Sequence, residues 1–531
     1  MRRRNLAMAL ALTALAPALL LGYGTALHDL FPRAALVGIG QATGPVALTD
    51  TLPGVSDADL SGFRGWLYER AAGLPDTSLV RRFRARYPTA AAFDPRAFRE
   101  FLMMDGADRV LGVDSFAAVY GHMRASDRAM DPHPPYVAGR RIALLTALQL
   151  GSIYPDLDRR NQNRFARSAD GRIMLTPTGD TVPFDPMSLN MGKLTGLSSQ
   201  AHAHYGLSRA PKSSDPATLK TRPWDFAVAT GFPGPVETYA PDNAQLYTDL
   251  ALLATLAGRP SWRTLGALWA GNAFHYIADC GNAVHTVQVG IYDIFVDATV
   301  QSWVRRLTSL FGLLGRAPSR NVIGIDILTN LHTGSERIFQ MELLEVVGAA
   351  GSGDTAKLPA GMGRVLTALR TGDDSLRRVL SDTLARLGAA TGVPDFGRAI
   401  ADVVVDANVR DGAEVYRITR GIVDPRLRKG RVALDFDTIP DAAAWRWIAV
   451  DRRTGLAAFN TVHARGVART IEALRVWWEA YRHLAASPAS RHPAIIQTVV
   501  ARLVAERLAY LDAAESRRRA WLSTHTAPRN P

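Results

Sequence analysis

The chain has 531 residues, 47% of them apolar and 21% charged, with 62 Lys and Arg against 49 Asp and Glu for a net charge of +13. That length predicts two or three packed units. The composition excludes wholesale disorder, a collagen-like chain and a polytopic membrane protein. Cys280 is the only cysteine, which excludes an intrachain disulfide framework and a Cys-rich zinc finger. All but five of the cations are Arg, which gives a general affinity for anions and no more.

Arg2, Arg3 and Arg4 precede an apolar run from Leu6 to about Leu21. A short basic region before a short apolar core is the plan of a secretory signal. The run also leaves open an uncleaved anchor, although it is short for a bilayer span of about 20 residues. Residues 1–26 are therefore expected to direct export to the cell envelope, the periplasm or the exterior.

The stretch 56–130 reads as helices with polar connectors, with helical apolar spacing over Asp59–Ala72 and Pro95–Met104. A break with three prolines follows at 127–135, then a helix over 137–156 ended by Gly151 and Pro155. Residues 157–245 are rich in Pro, Gly, Ser, Asp and Asn and read as long loops, which are unusual unless functional. Helical text resumes at 244–258 and at Trp262, and it dominates from Val365 to the end. The fold class expected is all-α. The expected organisation is a signal or anchor at 1–26, a helical extension at 27–130, a core at 131–345 and a helical C-terminal region at 346–531.

Six of the twelve histidines fall between 133 and 332. In 271-GNAFHYIADCGNAVHTVQ-288, His275 and Asp279 are four apart and share one helix face about a turn apart. An imidazole and a carboxylate at that spacing can hold one cation, and both are ligands of zinc. His285 lies six residues on, past Gly281. On a straight helix it would point about 120° away from Asp279, so it serves a second metal or the helix bends at Gly281. His332 and Glu336 form another four-spaced pair. Each pair alone is more often a solvated polar pair, and a lone buried His is usually a satisfied core residue. Together they place five ligand-type residues within 62 positions.

The pattern HxxxDxxxxxH followed by HxxxE resembles the zinc-dependent phospholipase C family of bacteria and the related single-strand-specific nucleases. The resemblance implies a helical zinc-binding core within 131–345 that holds two or three zinc ions. It implies that Asp156, His204 (or His202), His275 and Asp279 bind a first zinc. Asp279 would bridge to a second zinc, also bound by His133, and His285, His332 and Glu336 would bind the third. Asp158 is the alternative to Asp156. The family's N-terminal Trp ligand has no counterpart just before His133, and Ala283 and Val284 stand where Pro is common. Residues 56–130 and 365–531 lie outside the resemblance.

The activity expected from it is phosphodiester hydrolysis by a zinc-bound hydroxide, with Asp156 orienting or deprotonating the water and Asp279 bridging the metals. A phospholipid substrate fits export. Residues 298–316 read as an amphipathic helix suited either to a membrane surface or to packing on the C-terminal region. A nucleic acid or nucleotide is the second substrate class, with Trp224, Phe226, Phe232 and Tyr239 available for base stacking. A non-catalytic exported helical protein with a structural metal site is the reading from another class.

Overall fold

The computed structural model describes residues 25–38, 50–102, 139–157, 166–168, 170, 172–184, 204, 206, 240–286, 361–428 and 453–525, with isolated helical residues between 338 and 347 and residue 358. Among them helices dominate, and the all-α expectation holds. The two named strands, β1 (Thr51–Leu52) and β2 (Ile142–Ala143), are two residues each and pair antiparallel as a clip. None of the described helices is long and apolar enough to cross a membrane.

The first helix, α1 (Thr25–Leu36), buries Leu27, Leu30 and Phe31. Three short helices follow: α2 (Asp57–Ala72), α3 (Thr77–Arg86) and α4 (Pro95–Leu102). Their starts are written in the sequence. Ser56 and Asp59 form a capping box at α2, and the Asp76 carboxylate accepts the free N–H groups of Ser78 and Leu79 at α3. A ring cluster of Phe83, Tyr87, Phe93 and Phe101 joins α3 and α4, with centroids 4.9–6.0 Å apart.

The centre is built by α5 (Leu144–Leu157), α6 (Ala240–Leu256) and α7 (Trp262–Gly281). Nearly every residue of α6 and α7 is buried. Both helices are buried all round, as a helix surrounded by others must be, and the carboxylates of Asp249 and Asp279 find partners inside the core. Each fully buried Leu or Phe there contributes roughly 1.5–3 kcal/mol. Around them lie α8 (Met362–Thr371), α9 (Asp374–Thr391), α10 (Phe396–Arg428), α11 (Arg453–Ala485) and α12 (His492–His525). α7 packs against α1, α5, α6, α10 and α11. α12 lies across α2, α3, α4 and α6. Helices from both ends of the chain therefore share one apolar core.

Two sequence expectations change here. Gly151 and Pro155 do not end the helix over 137–156, because both lie inside α5. Gly151 instead faces Gly271 of α7: a Cβ at either glycine would fall onto the other helix's backbone, at Leu268 O or Leu148 O. The pair sets how closely α5 and α7 approach. At the other end, α6 begins at Ala240, inside the stretch read as loops.

Candidate metal centre

α7 presents His275 and Asp279 on one face, as their spacing predicts, and both are fully buried. The position of His285 follows from how α7 ends. The helix stops at Gly281, Asn282 is extended, and a single 3₁₀ turn (Ala283–His285) carries His285 back over the helix end. Its Nδ1 comes within 3.7 Å of Asp279 Oδ1. Gly281 lies where a Cβ would strike Thr470 Oγ1 of α11, so the helix end is closely covered. His204 arrives on a separate segment, tied down by Gly206 N–H donating to His285 O at 3.0 Å.

The geometry is tight. His204 Nδ1 is 2.8 Å and His275 Nε2 is 3.1 Å from Asp279 Oδ2, and the two nitrogens are 3.0 Å from each other. His28, from α1, completes the group. Its Nε2 is 3.4 Å from Asp279 Oδ1, and its ring stacks on His275 with centroids 3.9 Å apart. Four imidazoles thus surround one buried carboxylate.

Proton positions follow from the acceptors. His275 Nδ1 is 2.8 Å from Ser152 O, and His285 Nδ1 is 2.8 Å from His204 O. A carbonyl only accepts, so both Nδ1 atoms carry hydrogen. Each Nε2 is then a lone pair in the neutral ring, open to a metal ion, whereas in the charged ring a proton on His275 Nε2 is donated to Asp279 Oδ2 at 3.1 Å. A carbonyl holding the far N–H of an imidazole is the usual support of a metal-ligating histidine. Burial pushes His28 down to about 3, reinforced by His275 and opposed by Asp279, so its ring is neutral near pH 7. Burial alone would raise Asp279, but the charges and hydrogen bonds of His275 and His204 outweigh it and hold the carboxyl well below 3.8.

His28, His275 and Asp279 form a buried group that could hold a metal ion, with ligand atoms all within 4.8 Å of one another. The donor chemistry fits zinc, which takes imidazole nitrogen and carboxylate oxygen at 2.0–2.2 Å. Ligands of a tetrahedral zinc stand about 3.3 Å apart by that bond length. The three atoms of His204, His275 and Asp279 form a triangle with edges of 2.8, 3.0 and 3.1 Å. His204 Nε2 and Asp279 Oδ1 are buried without a hydrogen-bond partner among the described residues.

Comparison with protein-family models, curated proteins and solved structures finds no match to the chain. The resemblance therefore rests on the spacing of these residues in the sequence.

Of the residues singled out from the sequence, His204, His275, Asp279 and His285 converge. Asp156 lies in the last turn of α5, the helix that supplies Ser152, but its side chain is outside the described residues. His133, Asp158, His202, His332 and Glu336 also lie outside them, as do the 298–316 helix, the loop aromatics Trp224, Phe226, Phe232 and Tyr239, and residues 1–24. His28 was not among the sequence candidates. It sits about 250 residues before His275, next to the apolar N-terminal run, and no local spacing ties it to the motif.

Proposed function

We propose that the chain is a zinc-dependent phosphodiester hydrolase of the phospholipase C type. The observation that carries this reading is the convergence of His28, His204, His275 and His285 on one buried carboxylate, Asp279. In this reading His28, rather than His133, supplies the upstream imidazole beside the bridging carboxylate. His204 and His275 would hold the first ion with Asp279, and His285 would turn its Nε2 to a further one. Zinc bound there would supply Lewis acidity and a water acidic enough to ionise near neutral pH. The chain's own residues do the positioning: Ser152 O and His204 O fix two imidazole tautomers, while burial keeps His28 neutral and Asp279 stays ionised. Asp156 remains the candidate to orient the water, since it ends the helix that carries Ser152.

The test is metal content by mass spectrometry on protein purified without chelator, with His275→Ala alongside. Two or three zinc ions per chain, lost or reduced in the variant, together with hydrolysis of phosphatidylcholine vesicles or bis(p-nitrophenyl) phosphate that EDTA abolishes and zinc restores, would support the reading. Folded protein without metal sinks it.

A structural metal site is the second reading. What favours it is the number of donors: four imidazoles and a carboxylate could fill a tetrahedral ion's coordination with protein ligands alone, as in structural sites, and His28, His275 and Asp279 are all 0% exposed. It predicts bound metal, a lower melting temperature on chelation and no turnover of either substrate.

A further inference from the structure

A cavity of about 490 Å³ opens at another level of the same helices. On each of three helices the cavity residue stands eight positions from a residue of the metal centre: Leu36 from His28, Leu144 from Ser152, and Ala267 from His275. That is a rise of about 12 Å along a helix. The cavity is therefore separate from the centre, and its size falls in the roughly 300–1,000 Å³ range of small-molecule pockets.

Its lining is divided by chemistry. Leu36, Leu52 and Leu144 form an apolar side. Trp478 and Tyr481 of α11 also line it, stacked with centroids 5.6 Å apart. This aromatic plate is rigid: Tyr481 hydroxyl is 2.6 Å from Thr255 Oγ1, and Trp477 stacks behind it at 5.0 Å. The charges are unbalanced. Arg263, Arg475 and Arg482 line the cavity against Asp50 and Glu479. Glu479 is already bound by Arg377 at 2.9 and 3.3 Å. Arg475 spends its donors on the carbonyls of Ala35, Arg370 and Thr371 and pairs with Glu472 at 3.5 Å, so the cations left over are Arg263 and Arg482. Arg263 and Arg482 are exposed and have no hydrogen-bond or ion-pair partner among the described residues.

An apolar trough with unspent guanidinium groups at its rim matches an aliphatic body ending in a compact anion, because guanidinium pairs with carboxylate and phosphate through two parallel N–H donors. We propose that this cavity binds an aliphatic organic anion, its chain against Leu36, Leu52 and Leu144 and its head group at Arg263 and Arg482. The inference is independent of the hydrolase reading.

Calorimetry on the full-length protein tests it, with dodecanoate, dodecyl phosphate and dodecyltrimethylammonium each kept below its micelle concentration. The expected result is one site per chain for at least one of the two anions, with the better of them identifying the head group, and no saturable binding of the cation. The Arg263→Gln/Arg482→Gln double variant changes two exposed side chains and is expected to keep the parent's melting temperature and metal content while weakening the anion at least fivefold. Trp478→Phe should remove most of the tryptophan quenching that the anion causes. The proposal is overturned if neither anion saturates, if the cation binds as tightly, or if the double variant loses less than fivefold in affinity.

Discussion

At the residue scale, two buried histidines with the same depressed basicity have different surroundings. His28 is held neutral inside a group built from other imidazoles and a carboxylate. His463 of α11 is also pushed down to about 3 by burial, against a weak pull from Asp411. Phe339 and Phe459 pack on its ring at 4.3 and 4.2 Å, and neither of its nitrogens has a hydrogen-bond partner among the described residues. In the unfolded chain such a ring titrates near 6.5, so below that pH the unfolded state binds the extra proton. The stability tied to His463 is complete above about 6.5 and is lost as the pH falls from there towards 3, at up to about 1.4 kcal/mol per pH unit. His463→Phe is expected to flatten the acid limb of stability against pH, read by urea unfolding between pH 4 and 7. An unchanged slope would mean the ring finds a proton acceptor in the fold. For His28→Ala, the expected outcome is the loss of at least one metal equivalent per chain with secondary structure unchanged by circular dichroism.

At the element scale, the centre depends on how closely α5 and α7 approach. Gly151 and Gly271 let the two backbones meet, and one residue beyond Gly151 is Ser152, whose carbonyl fixes His275. Gly271→Ala would push the helices apart. Overpacking of this kind costs about 1–3 kcal/mol, and more where backbone must move. We expect a lower melting temperature together with weaker metal retention, whereas a purely local packing defect would lower stability alone. This element also shows what the sequence made legible. The four-residue spacing of His275 and Asp279 is a local property of one helix, so it could be read directly. For His285 the sequence leaves a straight helix or a bend at Gly281, and the end of α7 there brings the ring back beside Asp279. Gly151 was misread because a glycine in a helical pattern looks the same whether it stops the helix or receives a neighbour. His28 could not be read at all, since only tertiary packing brings α1 to α7.

At the scale of the whole molecule, ion pairs fasten distant helices to the core. Arg502 of α12 reaches the buried carboxylate of Asp249 on α6 with both Nε and Nη2, at 3.2 and 2.5 Å. Arg398 of α10 joins Asp242 of α6 to Glu506 of α12 at 3.2 and 2.8 Å. Removing one partner of a buried pair strands the other charge and costs about 3–5 kcal/mol. Arg502→Met is expected to destabilise the chain by that amount in urea unfolding. Because the buried Asp249 charge then keeps only the Gln245 amide as a partner among the described residues, at 2.7 Å, the double change Arg502→Met/Asp249→Leu should recover part of the loss. Trp477 adds a neutral tie, donating from Nε1 to Thr248 Oγ1 at 2.8 Å.

The hydrogen bond from Arg475 Nε to Ala35 O joins residues 440 apart, and it fastens the helix that carries His28. A chain made at roughly 5–20 residues per second takes about 20–90 seconds to extend from one partner to the other. Throughout that interval α1 lacks its contact with α11. The tie from α11 to the helix that carries His28 can therefore form only after synthesis has passed residue 475. A nascent chain stalled before that point should hold α1 only through its packing on earlier helices, α5 and α7 among them, and so less firmly than the finished molecule does.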